Sequence, residues 1–240
     1  MRLCIEEEQQ TVQPISHPKS LMEVTADRIR DSIISGELPL GSKLSEQRLA
    51  DTLGVSRSPV RDALAALQVE GLVNISPKRG SFVFTPDLRD VDELCEYRAM
   101  IETAALRKGI ARNHIALMEA LDAAMNTMET ALKSDDTHSY TAGDLQFHKA
   151  IVVSCQNRAI IAAYRTSTSP IKALRTHLFT FLNARMDQSM AEHTAITNAC
   201  RVKDADTAAA RLEQHVGHLV EEFRAATDLA AAQKEKKVAR

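Results

Sequence analysis

Asp144 and His148 stand four residues apart in AGDLQFHKAI, so a helix through this segment places a carboxylate and an imidazole on one face. His193 in MAEHTAI and His215 in RLEQHVGH lie in two further segments that carry a helical stripe of Ala, Ile and Leu. A packed helical domain can bring the four side chains together. One carboxylate and three neutral imidazoles suit a divalent ion, zinc first with nickel or manganese as alternatives, and leave positions for water or a ligand carboxylate. The same four residues also suit a buried hydrogen-bonded network without metal, or the metal centre of a hydrolase or lyase. The enzyme reading lacks a further carboxylate or histidine in a clear general-base position.

A different chemistry is written earlier, in GVSRSPVRDALAALQVEGLV over residues 54–73. Ser56 can cap a helix there, and Pro59 is tolerated because it falls in the first turn, where backbone N–H groups lack intrahelical partners. Val60, Ala63, Leu64 and Leu67 then form one apolar stripe, while Arg57 and Arg61 share the opposite face one turn apart. Alone, this is either a surface helix with two solvated arginines or a helix that presents two guanidiniums to a partner.

The neighbouring elements decide for DNA. Between Leu21 and Ser35 the residues Met22, Thr25, Ile29, Ile33 and Ile34 keep a helical apolar period, and Gly36 is placed to stop the helix. After a loop over residues 36–44, Ser45 caps a second helix with Leu44 and Leu49 at the positions of a hydrophobic staple, and Gly54 ends it. Two short helices separated by a tight Gly turn match the helix-turn-helix, whose second helix lies in the major groove. Beyond Gly71, Val73 and Ile75 and then Phe82 and Phe84 alternate around Ser76-Pro77-Lys78-Arg79-Gly80. This predicts a hairpin with a basic tip, hence a winged helix-turn-helix.

Composition bounds these readings. The 240 residues are 44% hydrophobic, enough for one large domain or two ordinary ones. Only 8 Gly and 7 Pro, with 4% aromatics and no Trp, argue for Ala- and Leu-rich helices rather than a turn-dense β fold. Cys4, Cys95, Cys155 and Cys200 are far apart without C-x-x-C spacing, so no disulfide framework or thiolate zinc site is expected. No run reaches the roughly 20 apolar residues that span a bilayer, and MRLCIEEEQQ has acids where a signal peptide needs an apolar core. A cytoplasmic protein without membrane contact is expected. The net charge of −2 excludes a generally basic nucleic-acid binder and leaves DNA contact to local clusters.

GELPLGSKLSEQRLADTLGVSRSPVRDALAALQVEGLV followed by SPKRGSFVF resembles the N-terminal domain of GntR-family transcription regulators. The resemblance covers Leu21 to Phe84. It implies base or phosphate contacts from Arg57 and Arg61, from the hydroxyls of Ser56 and Ser58, and from Arg79 and Gly80 at the wing tip. Arg chemistry agrees, since a guanidinium bonds guanine bidentately and hydroxyls or backbone N–H groups hold phosphate. Where well-known members carry Arg as the third residue of Leu-Ser-Glu-Arg, this chain has Gln47, followed by Arg48. Gln47 and Arg48 therefore rank below the recognition-helix pair. Between Leu21 and Thr85 eight basic residues meet eight acidic ones, so two such domains are expected to act together on a two-fold site.

Further on, D-x-x-x-H, then E-H, then DADTAAARLEQH is similar to the FCD ligand-binding domain of the FadR-type branch of GntR regulators, over most of Asp90 to Thr227. That resemblance implies an antiparallel helical bundle, with metal ligands at Asp144, His148, His193 and His215. Arg98 and Glu102 match its R-x-x-x-E. They are either an ordinary i, i+4 ion pair or a device in which Arg98 clamps the carboxylate of an effector. Arg175 and Asn198 are candidates to line the same cavity. His218 is a substitute ligand or a neighbour of the site, and His17, His114, His138 and His177 have no partner pattern.

The expected fold is mostly α, an N-terminal winged helix-turn-helix followed by an antiparallel α-helical bundle. Residues 1–19 read as a flexible tail, 20–85 as the winged domain, 86–90 as a linker, 91–228 as the helical domain and 229–240 as a frayed end. The function expected is a homodimeric repressor on a palindromic operator, relieved by a small organic acid bound at the metal. Its two-state element is expected in the spacing of the DNA-binding domains, set through the linker.

Overall fold

The Ser20 hydroxyl accepts the Glu23 N–H at 3.2 Å while the Glu23 carboxylate accepts the Ser20 N–H at 2.7 Å, a reciprocal cap that opens α1 (Leu21–Ile34). The structure, a computed structural model, describes residues 19–182 and 186–238. Of the expected tail over residues 1–19, residues 1–18, with Cys4 and His17, lie outside the described residues.

After α1 come β1 (Lys43–Leu44), α2 (Glu46–Leu53), α3 (Arg57–Val69), β2 (Val73–Ser76) and β3 (Gly80–Val83). Ser45 caps α2 by accepting the Arg48 N–H, and Gly54 leaves it in the left-handed region at φ 67°, a conformation that costs any other residue its Cβ contacts. This sharp exit turns the chain into α3. The stripe Val60, Ala63, Leu64 and Leu67 is fully buried and packs with Ile29 and Ile33 of α1. Ser56 sits at the N-cap of α3 but its hydroxyl makes no cap hydrogen bond, so the capping expected from its type is absent and the hydroxyl stays at the exposed face.

The hairpin gains a third strand that the alternation did not announce: the sheet order is β1-β3-β2, all antiparallel. Two residues of β1 are too few to show a period. In β3 the buried side chains are Ser81 and Val83, with Phe82 half-exposed between them. The tip closes with Ser76 opposite Gly80 and with Lys78 at φ 67°.

The helical domain consists of α4 (Leu88–Arg112), α5 (His114–Lys133), α6 (Thr137–Ser154), α7 (Arg158–Ser167), α8 (Ser169–Leu182), α9 (Met186–Arg201) and α10 (Ala205–Val238). Short connections fold α5 against α6 and α9 against α10. Three differences from the sequence reading stand out. The expected linker over residues 86–90 is mostly the first turn of α4, because Asp87 and Asp90 form a second reciprocal cap. Ser134 to His138 reads as a polar loop, yet Thr137 and His138 already belong to α6, capped by Asp136. α10 continues past Thr227 through most of the segment expected to fray, in keeping with the strong helix formers of AAAQKEKK. Pro170 in TSTSP predicts a disturbed helix in this stretch, and the break falls just before it, between α7 and α8 at Thr168.

Gly143 matters to the site that follows, since a Cβ there would meet Met128 Cγ at 2.7 Å. Its absence lets α6 lie close on α5 and so sets the depth of Asp144 and His148. The two domains are packed together. Arg30 of α1 donates through Nη2 and Nε to Glu70 at 2.6 and 2.7 Å, Ser169 Oγ donates to the same carboxylate at 3.4 Å, and Ala173 of α8 is buried in the core of the winged domain.

Candidate metal centre and nucleic-acid interface

α6 carries Asp144 and His148, α9 carries His193, and α10 carries His215; each faces the middle of the bundle, and none is more than 4% exposed. One ligand atom from each lies within 4.8 Å of every other. His193 Nε2 is 3.4 Å and His148 Nε2 is 4.0 Å from Asp144 Oδ1, and the Nε2 atoms of His148 and His215 are 3.3 Å apart. The four-residue set expected from sequence is therefore assembled from three helices.

Two carboxylates orient two of the imidazoles. His148 Nδ1–H donates to Glu102 Oε2 at 2.8 Å, and His215 Nδ1–H donates to Glu192 Oε2 at 2.7 Å. A carboxylate only accepts, so each Nδ1 carries the proton and each Nε2 is left with its lone pair facing inward. Burial pushes the pKa of all three imidazoles down, that of His215 to about 4 and that of His193 well below the ordinary value. The rings are neutral, as ligands must be. Both ring nitrogens of His193 and Asp144 Oδ2 are buried with no hydrogen-bond partner, an arrangement that is costly unless something binds there. Donor type, convergence and these unmet atoms all fit a divalent cation held by Asp144, His148, His193 and His215. The side chains of Glu192, His215 and His218 also line a cavity of about 290 Å³.

Glu102 is the hub of the inner wall. Burial raises its carboxyl, but Arg98 and His148 outweigh that and hold it well below the usual range. Arg98 Nε and the Tyr164 hydroxyl both donate to Oε1 at 2.8 Å. The Arg98–Glu102 pair is real and entirely buried, at 1% and 0% exposure of the side chains, not the solvated pair its spacing also permits. Arg98 Nη1 and Arg175 Nε remain without partners, while Arg175 Nη2 donates to Asp144 Oδ1. Two cationic donors thus remain unmatched among the described residues of the bundle interior.

Asn198 does not line this cavity: it is exposed, and Thr197 is the buried residue, with an unpartnered hydroxyl. The reason is helical spacing, since Thr197 stands four residues from His193 and Asn198 five. The same spacing was available in the sequence. Tyr164 and Glu192 carry no such signal, because Tyr164 comes from a separate helix and Glu192 precedes His193 on a different face. His218 bonds Glu192 Oε1 at 2.8 Å rather than entering the ligand set, His114 bonds the Cys200 carbonyl at 2.9 Å, and His138 is exposed. Cys95, Cys155 and Cys200 are buried free thiols.

On the winged domain, Ser56, Arg57, Ser58 and Arg61 are all exposed at the start of α3, and Arg48, Lys78, Arg79 and Gly80 are exposed on α2 and the hairpin tip. Gln47 is tied to Asp51 at 2.8 Å. Glu46 was not anticipated: its carboxylate accepts from Arg57 Nη2 at 3.1 Å and from Arg61 Nε and Nη2 at 3.3 and 3.0 Å. Arg61 most of all, with Arg57 adding to it, lowers the Glu46 carboxyl against the opposing effect of burial.

Comparison with known proteins agrees with both halves. Residues 21–83 match the bacterial regulatory proteins of the gntR family and residues 93–218 match the FCD domain. A gluconate operon transcriptional repressor of Bacillus licheniformis is 26% identical over 79% of this chain and 79% of its own length. The crystal structure of a GntR transcriptional regulator from Rhodococcus sp. RHA1 superimposes with a TM-score of 0.76 at 21% identity, covering 86% of this chain and 99% of that one. A solved FCD domain described as metal-free aligns with a TM-score of 0.53 at 23% identity, over 60% of this chain and 99% of its own.

Proposed function

The chain belongs to the gntR family of bacterial regulatory proteins and carries an FCD domain, and from that premise we propose a dimeric repressor whose operator affinity is set by a small organic acid bound at a divalent metal ion. Its relatives are transcriptional regulators rather than enzymes, which sets aside the hydrolase or lyase reading. Among the described residues no helix is long and apolar enough to cross a membrane.

The metal-sensing reading is carried by one observation, the inward lone pairs of His148 and His215, each fixed by a carboxylate behind it. Zinc suits three imidazoles and one carboxylate best, with nickel or manganese next. When bound, the ion would supply a Lewis-acidic point for a carboxylate oxygen. Arg98 Nη1 and Arg175 Nε are cationic donors to the same kind of group, and Thr197 offers a hydroxyl on the face of α9 that bears His193. Arg98 and Arg175 are the effector-binding residues of this reading, with Thr197 in place of Asn198.

On the DNA side, Arg57 and Arg61 read bases, and Ser56, Ser58, Arg48, Arg79 and Gly80 hold backbone phosphates. The charge balance of the winged domain argues for two copies on a two-fold operator. The linker is short because α4 starts at Leu88. The second route between domains is therefore α8, through Ser169, Glu70 and Arg30. Effector binding shifts operator affinity by favouring one placement of the winged domains on this junction.

A gel-shift on DNA flanking its own gene tests the reading, with and without zinc and with a panel of acids. Gluconate comes first, because a relative is named for the gluconate operon, followed by keto acids and dicarboxylates. Release of the shifted band by an acid only when metal is present supports it. Retention of the band under every acid sinks effector control, and no band at all sinks the operator reading.

A further inference from the structure

Away from the metal centre, α6, α7 and α8 line a half-open cavity of about 620 Å³ whose lining includes Lys149, Arg165 and Lys172 and no acidic residue. One cation comes from each helix. Among the described residues none of the three side chains has a hydrogen bond or ion pair. Apolar surface from Val152, Val153 and Ile161 makes up much of the remaining wall. Burial first, then Lys149, Arg165 and Arg30, lowers the Lys172 ammonium against an opposing pull from Glu70.

Like charges gathered around an apolar pocket repel one another, and a bound anion relieves that repulsion. Three cations call for more than one negative charge, and the apolar wall calls for a body attached to it. We propose that this cavity is a second ligand site, distinct from the metal centre, for a small dianion with an apolar body, its head group a phosphate monoester or a pair of carboxylates.

The position gives the site a consequence. Tyr164 lines the cavity and its hydroxyl donates to Glu102, the carboxylate that orients His148. On the other side, Arg165 and Lys172 border a crevice shared with Asp27, Arg30, Asp31 and Glu70 of the winged domain. A dianion here would draw α6, α7 and α8 together beside the junction that α8 makes with the DNA-binding half. That consequence rests on the operator reading; the binding itself does not.

The test is isothermal titration calorimetry of the full chain, without DNA and in the presence of EDTA, using phenyl phosphate and phthalate as the two probes and sulfate as an ionic-strength control. At least one probe should bind saturably at one site per chain, and which one binds distinguishes phosphate from dicarboxylate. The double variant K149Q/K172Q should weaken binding by about tenfold or more, and V153E, which sets a carboxylate at an exposed position of the wall, should do the same. Both change solvent-accessible side chains, and circular dichroism checks that they fold. R201Q, which removes an exposed cation of α9 away from this cavity, should bind as the parent does. Absence of saturable binding by either probe, binding retained in both K149Q/K172Q and V153E, or binding lost in R201Q would each overturn the proposal. A failure in this protein-only titration leaves the gel-shift untouched.

Discussion

His148 and His215 bring their Nε2 atoms to 3.3 Å, between ring centroids 5.2 Å apart, while Glu102 and Glu192 hold the Nδ1 protons on the far sides. Two neutral imidazoles so arranged oppose lone pair to lone pair, which a shared cation relieves and a hydrogen bond cannot. Protein purified without chelator should therefore carry about one divalent ion per chain by elemental analysis. H215A and H193A should lose it. Removal with EDTA should lower the melting temperature, because a ligand present at a hundred times its dissociation constant stabilises by about 2.7 kcal/mol. No bound metal after exposure to zinc, nickel and manganese would leave the four residues as a polar network.

The metal-free protein has a pH dependence of definite sign. Burial holds the His215 pKa down at about 4 against an ordinary 6.5, and shifts His148 and His193 in the same direction. The unfolded chain then binds more protons than the folded one as pH falls below 6.5. Stability contributed by neutral burial is present above pH 6.5 and is lost as pH drops toward 4. Thermal melts of the EDTA-treated protein should fall across that window, and metal should protect most strongly at its upper end. A flat profile between these pH values would contradict neutral, buried imidazoles.

Glu102 separates structural from metal-orienting roles. E102A strips the counter-charge from a guanidinium that is 1% exposed, and losing one partner of a buried pair costs about 3–5 kcal/mol. E102Q keeps the shape but can offer an amide N–H toward His148, which would reverse the tautomer. Metal affinity measured by competition with a chelating dye should fall about 10- to 100-fold in E102Q. Equal affinity in E102Q and the parent would show that Glu102 balances Arg98 only.

Periodicity carried most of the fold. The stripe of Val60, Ala63, Leu64 and Leu67 and the capping Ser45 were readable because helix spacing and cap chemistry are local, and so was the break at Pro170. The four ligands were readable as a set because the family pattern ties together residues that three different helices supply. What the sequence left hidden depends on packing between distant segments. Glu102 meets Tyr164 across 62 positions, Glu192 meets His215 across 23, and β1 is too short to show alternation. Asn198 differs for another reason, since it shares the helix of His193 but helical spacing puts Thr197, four residues on, on the buried face. Glu46 was missed because its partners lie on the next helix, across the tight turn at Gly54.

Arg98 tests the acid. R98K keeps a positive charge beside Glu102 but removes the planar fork that matches a carboxylate, so the fold should survive better than in R98A. Thermal shift by the acid that releases the operator should vanish in R98K while operator binding without acid stays normal. A normal shift in R98K would make Arg98 purely structural and leave Arg175 as the cation for the effector.

Glu46 bears on how the recognition helix is read by DNA. Its carboxylate holds Arg57 and Arg61 together in the free protein, yet exposed ion pairs of this kind contribute little to stability. Its effect should appear in binding instead. DNA phosphates and bases must displace Glu46 or accept the guanidiniums as it presents them, so the carboxylate both competes with non-specific DNA and fixes the orientation in which a correct base finds two donors. E46Q removes the charge at nearly constant shape. Non-specific DNA should bind a few fold more tightly in E46Q, with a salt dependence steeper by about one unit. Affinity for the operator should change less, so that the ratio of specific to non-specific binding falls. R57A and R61A should each weaken operator binding on the order of tenfold, with the hairpin and α3 unchanged by circular dichroism. Fluorescence anisotropy on operator and scrambled duplexes, repeated over a salt series, measures all of these. Identical salt slopes and identical non-specific affinity in E46Q and the parent would show that Glu46 leaves the arginines as DNA arrives without influencing what they select.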